Sequence, residues 1–162
     1  MQPRSTPLRS GGGAPGNPVT DAAAVRTHLR AGWALVGVFA ALGLLLEALH
    51  GFKVPWYVDA SASTRRLLWT LAHAHGLLLG LTNIAYGCTL AALPGLHLPR
   101  GSSRALLTAA LMLPLGFFAA GIVTYDGDPG LPILMVPVGA VLLLWAVTAI
   151  IHALRSTARA TP

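Results

Sequence analysis

Charged residues are scarce in this sequence. They make up 10% of its 162 residues, whereas ordinary soluble domains carry about 25%. Apolar residues account for 54%, so the composition excludes an ordinary soluble domain and indicates a membrane protein. Only one cysteine is present, which excludes an intrachain disulfide. Cys88 lies well inside an apolar stretch and is interpreted as a small apolar filler.

Four long apolar stretches are the main feature that the sequence does contain. Each is close to the ~20 residues that a helix needs to cross a hydrocarbon core of ~30 Å. The sequence therefore predicts an all-α integral membrane protein, a four-helix up-down bundle in one domain over residues 21–155. The predicted spans cover approximately residues 31–51, 67–93, 105–125 and 131–154.

The residues on either side of this domain are predicted to form two tails. Residues 1–20 are rich in glycine, proline, serine and arginine and lack apolar periodicity, which predicts a disordered cytoplasmic tail. A secretory signal is the less favoured alternative, because the first apolar run is too long for the apolar region of a signal peptide. Residues 156–162 are predicted to form a second cytoplasmic tail.

Basic residues are distributed asymmetrically around the predicted spans. Eight lie in the terminal segments and the second loop, three lie in the first loop, and the third loop has none. Because basic residues concentrate in cytoplasmic segments, both termini are predicted to be cytoplasmic. The predicted location is the cell inner membrane, where the arginines behind the net charge of +6 flank the spans and do not indicate a nucleic-acid partner.

Two histidines stand in the second predicted span, within the octapeptide TLAHAHGL at residues 70–77. At about 100° per residue, one arc of this helix is uniformly apolar and should face lipid. The opposite half carries the polar side chains and the glycines, as an interface between packed helices requires. His73 and His75 are therefore both expected to face neighbouring helices, about 160° apart around the axis. The expected lipid-facing arc comprises Ala74, Leu77, Leu78, Leu81, Ile84, Ala85 and Cys88.

A second polar group lies near the end of the first predicted span, in the segment EALHGFK. Glu47 is the only glutamate of the chain, and His50 follows three residues later on the same helix face. Glu47 continues a stripe of small residues, Ala40 and Gly43, so it is expected to face the bundle. The rise per residue places Glu47 and the two histidines of the second span roughly 7–10 Å outside the midplane. Ionisable groups at such depth cost a few kcal/mol and by default mark a function or have a partner.

These four residues form the candidate site of the sequence. His50, His73 and His75 are the candidate cofactor ligands, and Glu47 joins the same histidines as a candidate metal ligand. Imidazole and carboxylate suit zinc, copper, iron or haem iron. Since His73 and His75 point to different sides, one ion can bind both only with distortion, whereas a haem can take either as an axial ligand. A carboxylate-bridged di-iron site is poorly supported, because such sites need about four carboxylates.

The segment HAHGLLLG, from His73 to Gly80, follows a first-helix end with the sequence LLEALHGF. Together they resemble small four-helix bacterial membrane proteins of uncharacterised function that bear an H-x-H-x-x-x-L-G signature. The H-x-H also looks, more distantly, like the helix of haem–copper oxidase catalytic subunits in which two histidines serve two haems from opposite faces. This resemblance implies a haem or copper role for His73 and His75. Oxygen reduction is not implied, because the further ligand histidines of the oxidases are not recognisable here.

The remaining polar motifs are interpreted as structural. The segment YDGDPGLP, residues 125–132, lacks the glutamate that a calcium loop requires and is predicted to be a tight turn. His28, His97 and His152 lie near predicted cytoplasmic interfaces and are interpreted as ordinary polar residues. No phosphate loop, nucleophile elbow or dinucleotide fingerprint occurs, so no catalytic residue is predicted and no reaction is identified.

Two functional hypotheses follow from these patterns. The first is a membrane protein with an outward-facing His/Glu site for haem or a transition metal, serving electron transfer, metal handling or assembly of a respiratory complex. The second is a small carrier or structural subunit without a cofactor, in which Glu47 and the histidines relay protons or only hydrogen-bond one helix to another. Glu47 is then protonated or paired with Lys53 or Arg66. In both, the expected partners are the lipid bilayer and either another membrane protein or a second copy of the chain, and no nucleic acid.

Overall fold

Helices make up almost all of the structure. The computed structural model describes residues 18–96 and 98–160, with side chains described over residues 22–96 and 98–156. In these ranges no strand occurs apart from a single bridge between Tyr125 and Asp128, and the predicted all-α fold is confirmed. The helices are α1 (Pro18–Gly51), α2 (Pro55–Val58), α3 (Ser63–Ala92), α4 (Ser102–Ile122) and α5 (Met135–Ala160), with 3₁₀ turns at Ala60–Ala62 and Leu131–Leu134.

Four of the described helical segments are long and apolar enough to cross a membrane. They overlap the four predicted spans, and together they have the length and composition of a polytopic membrane protein. The segments are Ala22–Gly51, Ala60–Ala92, Ser102–Ile122 and Leu131–Ser156. α1 begins at Pro18 and α5 continues to Ala160, so both helices extend into the predicted tails. Residues 1–17 of the predicted N-terminal tail, His97 and residues 161–162 lie outside the described residues.

The spans pack in the order in which they occur in the chain. α1 packs along α3, α3 along α4 and α4 along α5, whereas α1 has only slight contact with α4. Successive spans are antiparallel: Phe39 and His28 of α1 meet His73 and Asn83 of α3, respectively. The described helices therefore form the predicted up-down bundle, with α1 and α5 at its two edges.

Glycines allow the close approach of α1 and α3. A Cβ atom at Gly80 would lie 3.0 Å from the carbonyl oxygen of Gly32, and one at Gly32 would lie 2.7 Å from that of Gly80. Gly76 lies against the ring of Phe39, so no side chain fits at this position either. Such small-residue contacts are typical of helix pairs in membranes, where close packing replaces the hydrophobic effect. The packed half of α3 is the one predicted from the sequence.

The opposite arc of α3 is largely open. Leu81 is 56% exposed and Leu78 is 59% exposed, and Cys88 is exposed as well. Ile84 departs from the prediction, because its side chain contacts α1 at Gly32 and is only half-exposed. Leu77 of this arc is also half-exposed, so the arc is confirmed as the more open side of α3 with these two exceptions.

The two ends of the bundle carry different segments. The first-loop end comprises residues 52–62 and the connection between α4 and α5, and the terminal end comprises the start of α1, residues 93–96 and 98–101, and the end of α5. At the first-loop end the two connections are tied together, because Thr64 Oγ1 donates a hydrogen bond to the Gly127 carbonyl oxygen at 2.6 Å.

The connection between α4 and α5 is a tight turn. Tyr125 and Asp128 exchange two backbone hydrogen bonds, of 3.0 and 2.7 Å. Between them, Asp126 and Gly127 both have positive φ, at 47° and 91°. Aspartate and glycine are the residues that tolerate this left-handed conformation. The turn predicted in YDGDPGLP is confirmed.

Candidate functional site

A cleft opens between α1 and α3 at the first-loop end. Its volume is about 610 Å³. Three of the four residues predicted as a site line it, namely Glu47, His50 and His73. The full lining is Gly43, Leu46, Glu47, His50, Gly51, Tyr57, Arg66, Thr70 and His73.

His73 is held in the cleft by α1. Its Nδ1 donates a hydrogen bond to the Phe39 carbonyl oxygen at 2.6 Å. The ring lies over Gly43, where an added Cβ would come within 2.2 Å of it, so only glycine leaves room for the imidazole. The sequence predicted that His73 faces a neighbouring helix, and that neighbour is α1.

The second ring nitrogen of His73 has no hydrogen-bond partner among the described residues. Every buried side-chain nitrogen or oxygen among the described residues has a hydrogen-bond partner. No hydrogen bond from His73 Nε2 to another described residue exists, so this nitrogen is not a buried atom. Since Nδ1 carries the proton that it donates to Phe39, Nε2 of the neutral ring has a free lone pair.

Glu47 and His50 occupy the last turns of α1, on the cleft side but at its surface. Both side chains are exposed. The expectation that Glu47 faces the interior of the bundle is therefore wrong in part: it lines the cleft, but no connection covers it. In the part of the chain that the structure describes, Glu47 forms no ion pair with Lys53 or Arg66.

The wall of the cleft opposite α1 is built by α2 and the start of α3. Tyr57 is 3% exposed, and its ring stacks on Trp69 with 6.4 Å between centroids. Burial raises the pKa of Tyr57.

Arg66 connects α2 to α3. Its Nη1 donates to the carbonyl oxygens of Tyr57 and Asp59, both at 2.6 Å. Hydrogen bonds from the Ser61 hydroxyl and amide lower the pKa of Asp59.

His75 lies on the other side of α3. Its Nδ1 donates to the Leu71 carbonyl oxygen of the preceding turn at 2.8 Å, and its ring meets Phe117 of α4 with 4.9 Å between centroids. It does not line the cleft. The predicted separation of His73 and His75 to different sides of the helix is confirmed, and it divides the candidate site. Among residues 22–96 and 98–156, no group of three or more His, Cys, Asp or Glu side chains is placed to hold one metal ion.

A second histidine site, at the terminal end, was missed by sequence reasoning. His28 is fully buried. Its Nδ1 donates to Asn83 Oδ1 of α3 at 2.7 Å, and its Nε2 accepts from the Ser103 hydroxyl of α4 at 2.7 Å in the neutral tautomer. The ring also packs on Tyr86, with 4.2 Å between centroids. The interpretation of His28 as an ordinary interfacial residue is wrong, whereas His152 is exposed as expected.

The position of His28 could have been found from the spacing of α1. His28 precedes Gly32 by one helical turn, and the stripe continues through Phe39 and Gly43, all of which contact α3. The sequence placed the start of the span at Ala31, which left His28 outside it. The helix in fact begins at Pro18, so His28 lies well within it.

Comparison with known proteins gives no assignment. No protein-family model, no curated protein and no solved structure matches the chain.

Proposed function

We propose that this chain is a polytopic membrane protein whose cleft binds a haem or a transition-metal ion through His73. The main support is the hydrogen bond from His73 Nδ1 to the Phe39 carbonyl oxygen. Metal-ligating histidines commonly donate their other ring N–H to a carbonyl or carboxylate, which fixes the tautomer and the orientation of the ring. His73 thereby offers Nε2 as the ligand atom.

The cleft has a suitable size and suitable donors. Its volume of about 610 Å³ lies within the ~300–1,000 Å³ typical of small-molecule and cofactor sites. A haem would be held through His73, alone or together with His50, and both residues line the cleft. A bare copper, zinc or iron ion would bind His73 with at most one of His50 and Glu47, because no three such side chains among residues 22–96 and 98–156 are placed to hold one ion. Such a centre would serve electron transfer, metal handling or the assembly of a respiratory complex.

A structural or carrier role without a cofactor is the second candidate, and the same hydrogen bond favours it. Through that bond His73 joins α3 to α1. Interhelical hydrogen bonds in membranes contribute about 0.6 kcal/mol on average, which is enough for a histidine to serve only as a tie. In this role Nε2 of His73 binds neither a haem nor a metal ion.

The visible spectrum and the metal content of the purified full chain separate the two candidates. If His73 is a ligand, His73→Gln should lose the chromophore or the metal, while glutamine still donates to the Phe39 carbonyl oxygen and keeps the fold. The matched controls are His75→Gln, which faces α4, and His152→Gln, which is exposed at the terminal end. Two results would contradict the cofactor hypothesis and support the structural role. One is a wild-type protein without chromophore or metal, and the other is a double His73→Gln, His75→Gln variant with unchanged chromophore and metal content.

We also propose that both termini are cytoplasmic and that the cleft opens on the outer side of the cell inner membrane. The support is the eight-to-three division of basic residues between the two sides. Cysteines placed at Ser5 and Ser61 in a Cys88→Ala background provide the test. A membrane-impermeant thiol reagent applied to intact cells should label only the Ser61→Cys protein. Labelling of Ser5→Cys alone would reverse the orientation.

A further inference from the structure

A second polar cavity at the first-loop end shares no lining residue with the cleft. Its volume is about 500 Å³. It lies where the 3₁₀ turn before α3 meets the turn between α4 and α5. The lining residues are Trp56, Ser61, Ala62, Ser63, Arg65, Thr124, Asp126 and Gly127.

Arg65 is held in this cavity with part of its guanidinium free. Its Nε donates to the Gly121 carbonyl oxygen at 3.0 Å, and the guanidinium carbon lies 5.9 Å from the ring centroid of Trp69. No other described residue accepts a hydrogen bond from its two terminal nitrogens, and neither is among buried atoms without a partner. A guanidinium fixed through Nε and by a cation–π contact presents its two terminal NH₂ groups as a fork suited to phosphate oxygens.

The other polar groups of the cavity divide into donors and one anion. The hydroxyls of Ser63 and Thr124 have no hydrogen-bond partner among the described residues, so they are available to oxygens of a ligand. Asp126 supplies a carboxylate, and no ion pair with another described residue neutralises it. A simple anion would meet this carboxylate as a like charge, whereas a ligand with both charges would satisfy Arg65 and Asp126 together.

We propose that this cavity binds a phosphodiester that carries an ammonium group, the chemistry of phosphoethanolamine. The phosphate lies against Arg65 and the hydroxyls, and the ammonium donates to Asp126. The cavity lies at the boundary of the apolar spans, with the half-exposed Trp56 at its edge, a position at which indole rings sit among lipid headgroups. A phosphatidylethanolamine headgroup and a soluble phosphoethanolamine compound offer the same groups.

Calorimetric titration of the purified full chain in detergent tests the chemistry. The probes are glycerophosphoethanolamine, glycerophosphoglycerol and inorganic phosphate. The first should bind about tenfold more tightly than the other two, because only it adds a charge-assisted hydrogen bond to Asp126. Equal binding of all three, or no binding of any, would overturn the proposal.

Two pairs of variants assign the two charges. Asp126→Asn should abolish the preference for glycerophosphoethanolamine, and asparagine tolerates the positive φ at this position. Its control is Asp128→Asn, an exposed neighbour that does not line the cavity. Arg65→Gln should weaken all phosphate probes, whereas Arg104→Gln, exposed at the terminal end, should not. If Arg65→Gln does not fold, Asp126→Asn still decides the proposal, and a preference that persists in that variant contradicts it.

A lipid-retention experiment distinguishes a lipid headgroup from a soluble ligand. Protein reconstituted in vesicles of equal phosphatidylethanolamine and phosphatidylglycerol is extracted, and its retained lipid is identified by mass spectrometry. Retention of phosphatidylethanolamine by wild type but not by Asp126→Asn assigns the lipid headgroup. Binding of the soluble probe with no lipid retained supports the site and assigns a soluble ligand.

Discussion

His28 at the terminal end and His73 at the first-loop end both join α1 to α3, yet they use their ring nitrogens differently. Both nitrogens of His28 have partners at 2.7 Å, and the side chain is fully buried. His73 has one partner, and its Nε2 has none among the described residues and belongs to a side chain that lines a cleft. The use of the second ring nitrogen, rather than depth in the membrane, therefore distinguishes a histidine that only ties helices together from one that can bind a ligand.

The largest effect is expected where α1 and α3 cross, because this crossing positions both histidine hydrogen bonds between the two helices. Gly80→Leu should prevent correct packing, because its side chain would collide with the backbone of Gly32. Leu81→Ala, on the exposed arc of the same helix, is the matched control and should be mild. The yield of monodisperse protein after detergent extraction measures the difference. Equal yields would mean that α1 and α3 do not cross at these glycines.

A smaller loss of stability is expected from the terminal-end network. His28→Ala leaves Asn83 Oδ1 and the Ser103 hydroxyl without a partner, at a cost of about 1–3 kcal/mol for a buried polar group. His152→Ala, exposed at the same end, should have no measurable effect. The midpoint of thermal unfolding in detergent is the measurement. A His28→Ala variant as stable as wild type would show that this hydrogen-bond network does not stabilise the bundle.

Chemical modification compares the two histidines directly. Diethylpyrocarbonate reacts with an accessible, unprotonated imidazole nitrogen, so His73 and the exposed His50 should be modified in the folded protein. His28 should be protected, because both of its nitrogens are engaged. Peptide mass spectrometry after brief treatment gives the extent at each site. Faster reaction at His28 than at His73 would contradict the proposed difference between their ring nitrogens.

The smallest effect is expected on acidification of the first-loop end. The pKa of Asp59 is lowered by hydrogen bonds from Ser61, so it lies below the ordinary value of 3.8. The contribution of these bonds is therefore complete above that ordinary value and is lost only as the pH falls through the lower, folded-state pKa. Any change in tryptophan fluorescence that the loss of these bonds causes should begin only below the ordinary Asp59 value of 3.8. Ser61→Ala should move the onset of the acid change to higher pH, and an unchanged onset would contradict this assignment.

The faces of α3 could be predicted from the sequence because they depend on one helix alone. Glycines, polar residues and leucines repeat at angles that any α-helix imposes, and packed glycines must lie where backbones meet. The neighbour that each face meets could not be predicted, since this depends on how the other spans are arranged. The helix angle predicted that His73 and His75 point to different sides, but only the structure shows that His73 meets α1 and His75 meets α4.

The ends of α1 were harder to predict than its middle. Hydropathy placed the start of the first span near Ala31 and so left His28 outside it. A polar residue can nevertheless lie between packed helices when its hydrogen bonds are completed there, as Asn83 and Ser103 do for His28. At the other end, the helical spacing gave the side of α1 on which Glu47 lies. It could not tell that the short first connection would leave this side chain uncovered.

Packing in chain order has a consequence for how the protein is made. Each span after the first packs mainly against the span synthesised just before it, so the bundle can grow one helix at a time during insertion. The bond between His28 and Ser103 is an exception, because it joins the first span to the third. Until α4 is inserted, His28 Nε2 has no partner within the nascent hairpin of α1 and α3. Completion of this bond marks the stage at which the third span has reached its place.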